Sequence, residues 1–309
     1  MTTTLKLVTA AATTTHKNLN EDEAARAIWT MIAEPGDSAT AALIGELGAI
    51  GALQYVLEGR DSNFAGIDVH LIRERVLPRC APGSIKAAFA AALRFGVTLI
   101  TPEHPHWPTC LNDLGSSAPH GLWTRGNTEL LTAAPGIAVV GARAATGYGE
   151  HVTMEITAGL VERGLAIYSG AAYGIDGMAH RAALASRGTT VAFLAGGVDR
   201  FYPAGHDALL TRIAEAGVVA SELSCGQEPT KWRFLMRNRL IAAASTATLV
   251  VEAGWRSGSL NTAGHAIALG RPLGAVPGPV TSAASAGCHR LIRDFGATLV
   301  TTAEEAAEL

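Results

Sequence analysis

The chain has 309 residues, 24 lysines and arginines against 27 aspartates and glutamates, and a formal net charge of −3. A mildly acidic body exerts no global attraction on nucleic acid, so any polyanion site has to rest on a local basic patch. Hydrophobic residues make up 48% of the chain, enough for a sizeable core, and the four cysteines (Cys80, Cys110, Cys225, Cys288) are widely spaced without a CxxC pair.

That spacing signals neither a zinc site nor a disulfide framework, and reduced thiols in a cytoplasm are expected. Cys288 stands beside His289, but two ligand-type residues do not make a metal site. No apolar run is expected to reach transmembrane length. The start, Met1 to Asn20, is Thr-rich and lacks the apolar region of a signal peptide, so it reads as a frayed tail.

From Asn20 to Ile100 the pattern is helical. Asn20 followed by Glu21-Asp22-Glu23 is an N-cap with an acidic first turn. Ala27, Ile28, Met31 and Ile32 follow at helical spacing until Pro35-Gly36-Asp37 breaks the run. Leu43, Leu47, Ile50, Leu53, Val56 and Leu57 resume a period of three to four. Glu58 to Asn63 reads as a turn or linker, and Ser84 to Phe95 as another helix stopped by Gly96. The expected division is a tail with a small helical accessory domain over 1–83 and a Rossmann-like domain over 84–309.

Past Val97 the character changes. Val97–Ile100 is a short β-type run that leads into a Pro- and His-rich loop, Pro102 to Pro108. Beyond Gly136, short apolar strands alternate with glycine-rich turns and helices. The strands are predicted at Ile137–Val140, Leu165–Tyr168, Thr190–Leu194, Val218–Ser221, Thr248–Val251, Leu273–Val276 and Thr298–Val300. The helices are predicted at Tyr148–Arg163, Ile175–Arg187, Asp207–Ala216, Phe234–Ala244, Thr262–Leu269 and Ala286–Asp294. Continuous apolar strands separated by helices predict an extended Rossmann-like α/β fold, a doubly wound and mostly parallel sheet.

In such a sheet ligands bind outside the carboxyl ends of the strands, and four loops lie there. Gly141-Ala142-Arg143 combines a glycine that permits close approach with a planar donor fork for phosphate, and the next helix offers N–H groups at its start. Ser169-Gly170-Ala171-Ala172-Tyr173-Gly174 runs straight into a helix, as an anion-binding N-terminus does, without the Gly-Lys-Ser/Thr of a Walker A loop. Asp176 follows in the first helical turn, where it complements the dipole.

The third segment, Lys231 to Arg239, holds four cations in nine residues with no acid among them, interleaved with Trp232 and Phe234. Phe234, Arg237 and Asn238 share a helix face, while Leu235, Leu240 and Ile241 are expected to pack inward. This is the local basic patch. Lys231, Arg237 and Arg239 suit a phosphate backbone, and an aromatic ring offers a stacking platform to any base. The fourth loop, Glu252 to Ser259, ends in Ser257-Gly258-Ser259 before a helix, a cradle for phosphate, with Glu252 at the strand end as an orienting carboxylate. No catalytic constellation stands out: neither GxSxG nor HExxH occurs.

These loops, in this order, resemble the DNA-processing protein A (DprA/Smf) family. The matching segments include Val140-Gly141-Ala142-Arg143, Ser169–Asp176 with Ala179-His180, and Arg237–Ala242. Further on come Val251-Glu252-Ala253 with Ser257–Leu260, Val276-Pro277-Gly278, Leu291-Ile292 and Gly296-Ala297. The resemblance covers about Thr98 to Val300 and includes Pro105–Pro108. It implies a non-enzymatic recombination mediator that binds single-stranded DNA, forms a homodimer, loads the recombinase RecA and carries neither cofactor nor metal. Its DNA pocket would map onto Arg143, the Ser169–Gly174 loop and the Lys231/Phe234/Arg237–Arg239 segment. The family usually has Ser at Ala142 and Arg at Tyr173, and often Pro at Leu235 and Asn at His289. Tyr173 thus removes one phosphate contact. The C-terminal winged helix of many relatives is expected to be absent from a chain ending at Leu309. A nucleotide-processing enzyme or sensor of the same superfamily, like the lonely-guy phosphoribohydrolases, is the competing reading. Its Pro-Gly-Gly-x-Gly-Thr loop is replaced here by Trp255–Ser259.

Overall fold

The computed structural model describes residues 19–59 and 61–309. The expected N-terminal tail lies almost wholly outside the described residues.

Helix α1 (Glu21–Ile32) opens on a capping box. The Asn20 side chain accepts from the Glu23 N–H and the Glu23 carboxylate accepts from the Asn20 N–H, both at 2.9 Å. Helix α2 (Ser38–Leu57) starts on Asp37, whose carboxylate takes the N–H groups of Ala39 and Thr40. By length and composition α2 could span a bilayer, contrary to the expectation that no run does. It is kinked at Gly48 (φ 70, ψ 166), and Leu43, Ile44, Ala49, Ala52, Leu53 and Val56 are buried against the core. Glu58 and Gly59 turn out of α2, and Asp61-Ser62 lead into a small hairpin, β1 (Asn63–Phe64) and β2 (Ile67–Asp68), followed by α3 (Val69–Val76) and α4 (Pro82–Arg94). The hairpin and α3 carry too short an apolar pattern to be read from the sequence. Ile28, Trp29, Leu53, Ile72 and Phe89 form a core that continues into Trp123 and into Leu210 and Ile213.

The remainder is a nine-stranded sheet. Its strands are β3 (Thr98–Ile100), β4 (Leu122–Gly126), β5 (Gly136–Gly141), β6 (Ala166–Ser169), β7 (Thr190–Phe193), β8 (Val218–Ser221), β9 (Ala247–Glu252), β10 (Leu273–Ala275) and β11 (Thr298–Leu299). The order is β11-β10-β9-β5-β6-β7-β8-β4-β3. Strands β5 to β11 pair in parallel, whereas β4 is antiparallel to both β8 and β3. The seven parallel strands fall within two residues of their predicted bounds. Strand β4 was not anticipated, because Leu122-Trp123-Thr124-Arg125-Gly126 has the wrong alternation and sits among turn residues.

The helices of this half are α5 (Gly147–Glu162), α6 (Ile175–Ala185), α7 (Asp207–Ala216), α8 (Lys231–Ala244), α9 (Ser259–Ala268), α10 (Ala286–Phe295) and α11 (Ala303–Ala307). Ile137, Val139, Leu249 and Val251 face α5, α6 and α11, while Ala138, Val140 and Val250 face α8, α9 and α10. Burial on both faces is why the strands read as continuous apolar runs. From β5 the chain winds outward through β6, β7 and β8, then returns to β9 on the other side of β5. The β5–β9 boundary is therefore the topological switch point, where the crevice opens at the carboxyl ends.

One buried ion pair locks α8 to the sheet. Arg239 Nη2 donates to Glu222 Oε2 at 2.6 Å, and both side chains are almost wholly buried. Arg239 Nε and Nη1 have no partner, so the guanidinium depends on this one carboxylate. Glu222→Gln should cost about 3–5 kcal/mol of unfolding free energy in urea denaturation, because it strands a buried charge. The apolar pair Glu222→Leu with Arg239→Met should recover most of that loss. An unchanged midpoint for Glu222→Gln would remove the pair from the stability argument.

Candidate nucleic-acid interface

A cleft of 630 Å³ opens at the switch point. One wall is the loop Gly141–Ala144 after β5. A second is α8, through Phe234, Leu235, Arg237, Asn238 and Ile241. The third is the loop after β9, through Gly254, Arg256, Ser257, Gly258 and Ser259, with Thr262, Ala283 and Ala284 closing the far end.

Helix α8 starts three residues earlier than predicted, because the Thr230 hydroxyl caps it by accepting from the Arg233 N–H. That start puts Lys231, Phe234, Leu235 and Asn238 at i, i+3, i+4 and i+7, one stripe on the cleft side. Leu235 was expected to pack inward but lines the cleft and is exposed. It lies about 140° around the axis from Leu240, so the two cannot share a core face. Leu240 and Ile241 do pack inward.

At the mouth, the exposed Arg143 guanidinium lies 4.9 Å from the centre of the Phe234 ring, a cation–π contact. At the floor, Arg237 is buried and donates through Nη1 to the carbonyls of Gly170 and Phe193, each at 2.6 Å. Burial pulls its pKa down to about 10, opposed by the charge of Asp176, so it stays protonated at neutral pH. Its Nε has no partner. Gly170 is required here, since a Cβ would stand 2.1 Å from Arg237 Nη1. Gly174 is required for another reason: its φ is +74 and a Cβ would meet the Ala142 carbonyl at 2.2 Å.

The carboxylates of the site hold loops. Asp176 accepts from the N–H of Gly141 at 3.4 Å and of Gly170 at 3.2 Å, stitching the β5 and β6 loops together. Burial pushes its carboxyl above the ordinary range, while Arg237 and the amides pull the other way. Glu252 accepts from the Thr146 N–H at 2.8 Å and from its hydroxyl at 2.7 Å, and that hydroxyl caps α5 through the Gly149 N–H. The start of α5, expected to offer free N–H groups, is therefore already occupied by an internal carboxylate. The Gly170 amide is directed to Asp176 rather than into the cleft.

The predicted residues thus divide. Gly141, Arg143, Phe234, Arg237, Asn238, Ser257, Gly258 and Ser259 line the cleft. The Asn238 amide bridges to the Gly258 carbonyl and Asn261 Oδ1, and the Ser257 and Ser259 hydroxyls pair at 2.8 Å. Lys231 is exposed one turn before Phe234 and is not among the residues lining the cleft. Gly170 and Gly174 lie behind the wall. Ser169 is buried and donates to the Val139 carbonyl, and Arg239 turns to Glu222 on the other side of α8. Arg256, inside the expected Glu252–Ser259 loop, was not singled out there, and Thr262 and the Ala283-Ala284 turn were not anticipated at all. The carboxyl-end rule, applied to the segment after β10, would have found that turn. Tyr173 is not in the cleft lining: its ring packs edge-on against His206 and its hydroxyl accepts from the Gly205 N–H. Among the described residues Arg143, Lys231 and Arg256 have no acidic partner. They supply the positive charge that the amides do not.

Comparison with known proteins fits this architecture. A DprA-type protein of Mycobacterium tuberculosis is 48% identical over 301 residues, spanning 93% of this chain and 75% of that one. The DNA processing protein DprA of Bacillus subtilis is 34% identical over 69% of this chain and 70% of its own length. The crystal structure of DprA from Streptococcus pneumoniae superposes with a TM-score of 0.76 at 29% identity, covering 94% of this chain and 98% of that one. A Helicobacter pylori DNA processing protein A, whose structure concerns its single-stranded DNA binding mode, gives a TM-score of 0.63 at 27% identity over 69% of this chain and 95% of that one. The family model for DNA recombination-mediator protein A matches residues 98–309, and the chain belongs to that family, as the ordered loops implied.

Proposed function

We propose that this chain binds single-stranded DNA without sequence preference in the switch-point cleft. As a homodimer in the cytoplasm it passes the strand to the recombinase RecA, with no chemistry of its own. The observation that carries the binding reading is Arg143 over Phe234 at the mouth of the cleft: a cation with no acidic partner among the described residues beside a partly exposed ring, with the exposed Lys231 one turn earlier on α8. Cations track a phosphate backbone, and a ring accepts any base by stacking. The Helicobacter pylori relative binds single-stranded DNA, which supports the same ligand here. The non-enzymatic reading draws on Asp176 and Glu252, both committed to amide and hydroxyl donors. Nucleoside monophosphates incubated with the protein should release no free base.

Titrating a labelled oligothymidylate by fluorescence anisotropy over a range of salt should give a steep linear loss of affinity with log salt. Arg143→Ala and Lys231→Ala should each weaken binding about tenfold at low salt and flatten the slope by about 0.7 per lost phosphate contact. If both variants bind as the parent does, the pocket assignment is wrong. Phe234→Ala should weaken binding about fivefold to a hundredfold, the range for loss of one stacked base, and Phe234→Tyr should retain most of it. An Ala variant as tight as the Tyr variant would exclude stacking at this ring.

A further inference from the structure

Beside the cleft, a second hollow of 290 Å³ lies between the turn Asp199–Tyr202 and the segment Gly226–Pro229. None of its lining residues lines the cleft. Three observations connect it to the cleft. First, the Tyr202 ring is half exposed and stands 5.6 Å, centre to centre, from the Phe234 ring, which itself lies under Arg143. Second, a narrow slit between them shares Phe234 with the lining of the cleft and Tyr202 and Pro229 with the lining of the hollow. Third, Pro229 borders the hollow only two residues before the exposed Lys231, while Arg200 and Glu228, paired at 3.8 Å, line the hollow itself. Arg143, Phe234 and Tyr202 therefore form a row that leads from one cavity to the other.

We infer that the hollow behind Tyr202 is a second nucleobase subsite, taking a neighbouring base of the strand whose first base stacks at Phe234. This rests on the single-stranded DNA reading above. Size suits a single base: at 290 Å³ the hollow is just smaller than the roughly 300–1,000 Å³ of sites for whole drug-sized ligands. Charge favours the same orientation. Asp199 and Glu228 border the hollow and repel phosphate; Arg200 pairs with Glu228 at 3.8 Å, so the exposed Lys231, two residues past Pro229, is the cation left for the backbone. Asp199 Oδ1 accepts from the Gly226 N–H, which fixes one wall. Among the described residues no group hydrogen-bonds the Tyr202 hydroxyl, and it is the ring that stands beside Phe234. Aromatic faces accept any base, in keeping with binding that lacks sequence preference.

The experiment has two parts. In the first, oligothymidylates of increasing length are titrated into the parent protein, Tyr202→Ala and Tyr202→Phe. Tyr202→Ala should bind long oligonucleotides about tenfold more weakly and leave the shortest binding oligonucleotide unaffected, while Tyr202→Phe matches the parent. In the second, the unaltered protein is titrated with oligonucleotides carrying 2-aminopurine at one position at a time. Two separate positions, not one, should change fluorescence on binding. Tyr202→Ala affinities equal to the parent at every length, or a single responding position, would overturn the second subsite while leaving the Phe234 cleft standing. Failure of the unaltered protein to bind any oligonucleotide would overturn both.

Discussion

The buried guanidinium of Arg237 is the constraint around which the site is arranged. A charge taken out of water is costly unless it is paired and hydrogen-bonded. Here the compensation comes from two backbone carbonyls, of Gly170 after β6 and Phe193 at the end of β7, and from the nearby Asp176. Carbonyls at the carboxyl ends of two parallel strands cannot move independently of the sheet, so α8 is pinned across them. The pinning excludes any side chain at position 170 and sets the direction in which Phe234 and Asn238, on the same helix, face the β5 and β9 loops. Asp176 completes the lock by holding the Gly141 and Gly170 amides. The positions of the two loops and of the helix are thus consequences of one buried charge and its partners.

The start of α8 breaks a local rule. Cations at a helix N-terminus add to the positive end of the dipole instead of opposing it, yet Lys231 and Arg233 both lie in the first turn with no acid beside them. Arg233 is neutralised from outside: its Nε and Nη2 both reach the Glu34 carboxylate, at 3.1 and 3.0 Å, and Arg79 joins the same carboxylate. The turn after α1 also packs on α8, where Gly36 leaves room for Met236 and Arg239. The helical region therefore stabilises the helix that a lone Rossmann-like core would hold less well, and it leaves Lys231 as the uncompensated charge. Local rules broken with compensation elsewhere are the pattern expected of functional sites.

Much of this was legible in the sequence because both faces of the sheet are buried. Ile137-Ala138-Val139-Val140 and Thr248-Leu249-Val250-Val251 leave no doubt about period or class. The switch-point rule then selected the loops without any knowledge of contacts. What the sequence withheld was direction. Arg237 and Arg239 are two residues apart on one helix, hence on different faces, and only packing decides which meets the strand ends and which meets Glu222. Ser169 looked like an anion ligand but its hydroxyl is used between β5 and β6. The amides of the glycine-rich loops looked free because the carboxylates that take them, Asp176 and Glu252, lie 6 and 106 residues away from their targets. Strand β4 was missed because its pairing with β8 and β3 is entirely long-range.

The same direction effect resolves the contradiction between an acidic chain and a polyanion site. Three carboxylates that follow the carboxyl ends of the strands, Asp176, Glu222 and Glu252, are all buried. Each is committed to an internal donor: amides, an arginine, or a threonine hydroxyl and its amide. Buried and paired, they contribute little field at the mouth of the cleft. Arg143, Lys231 and Arg256 are exposed and unpaired among the described residues, so they dominate it. A net charge of −3 therefore describes the chain but not the cleft. At the cleft the fold separates the signs, turning Asp176, Glu222 and Glu252 inward to build the loops and leaving Arg143, Lys231 and Arg256 outward to meet the ligand.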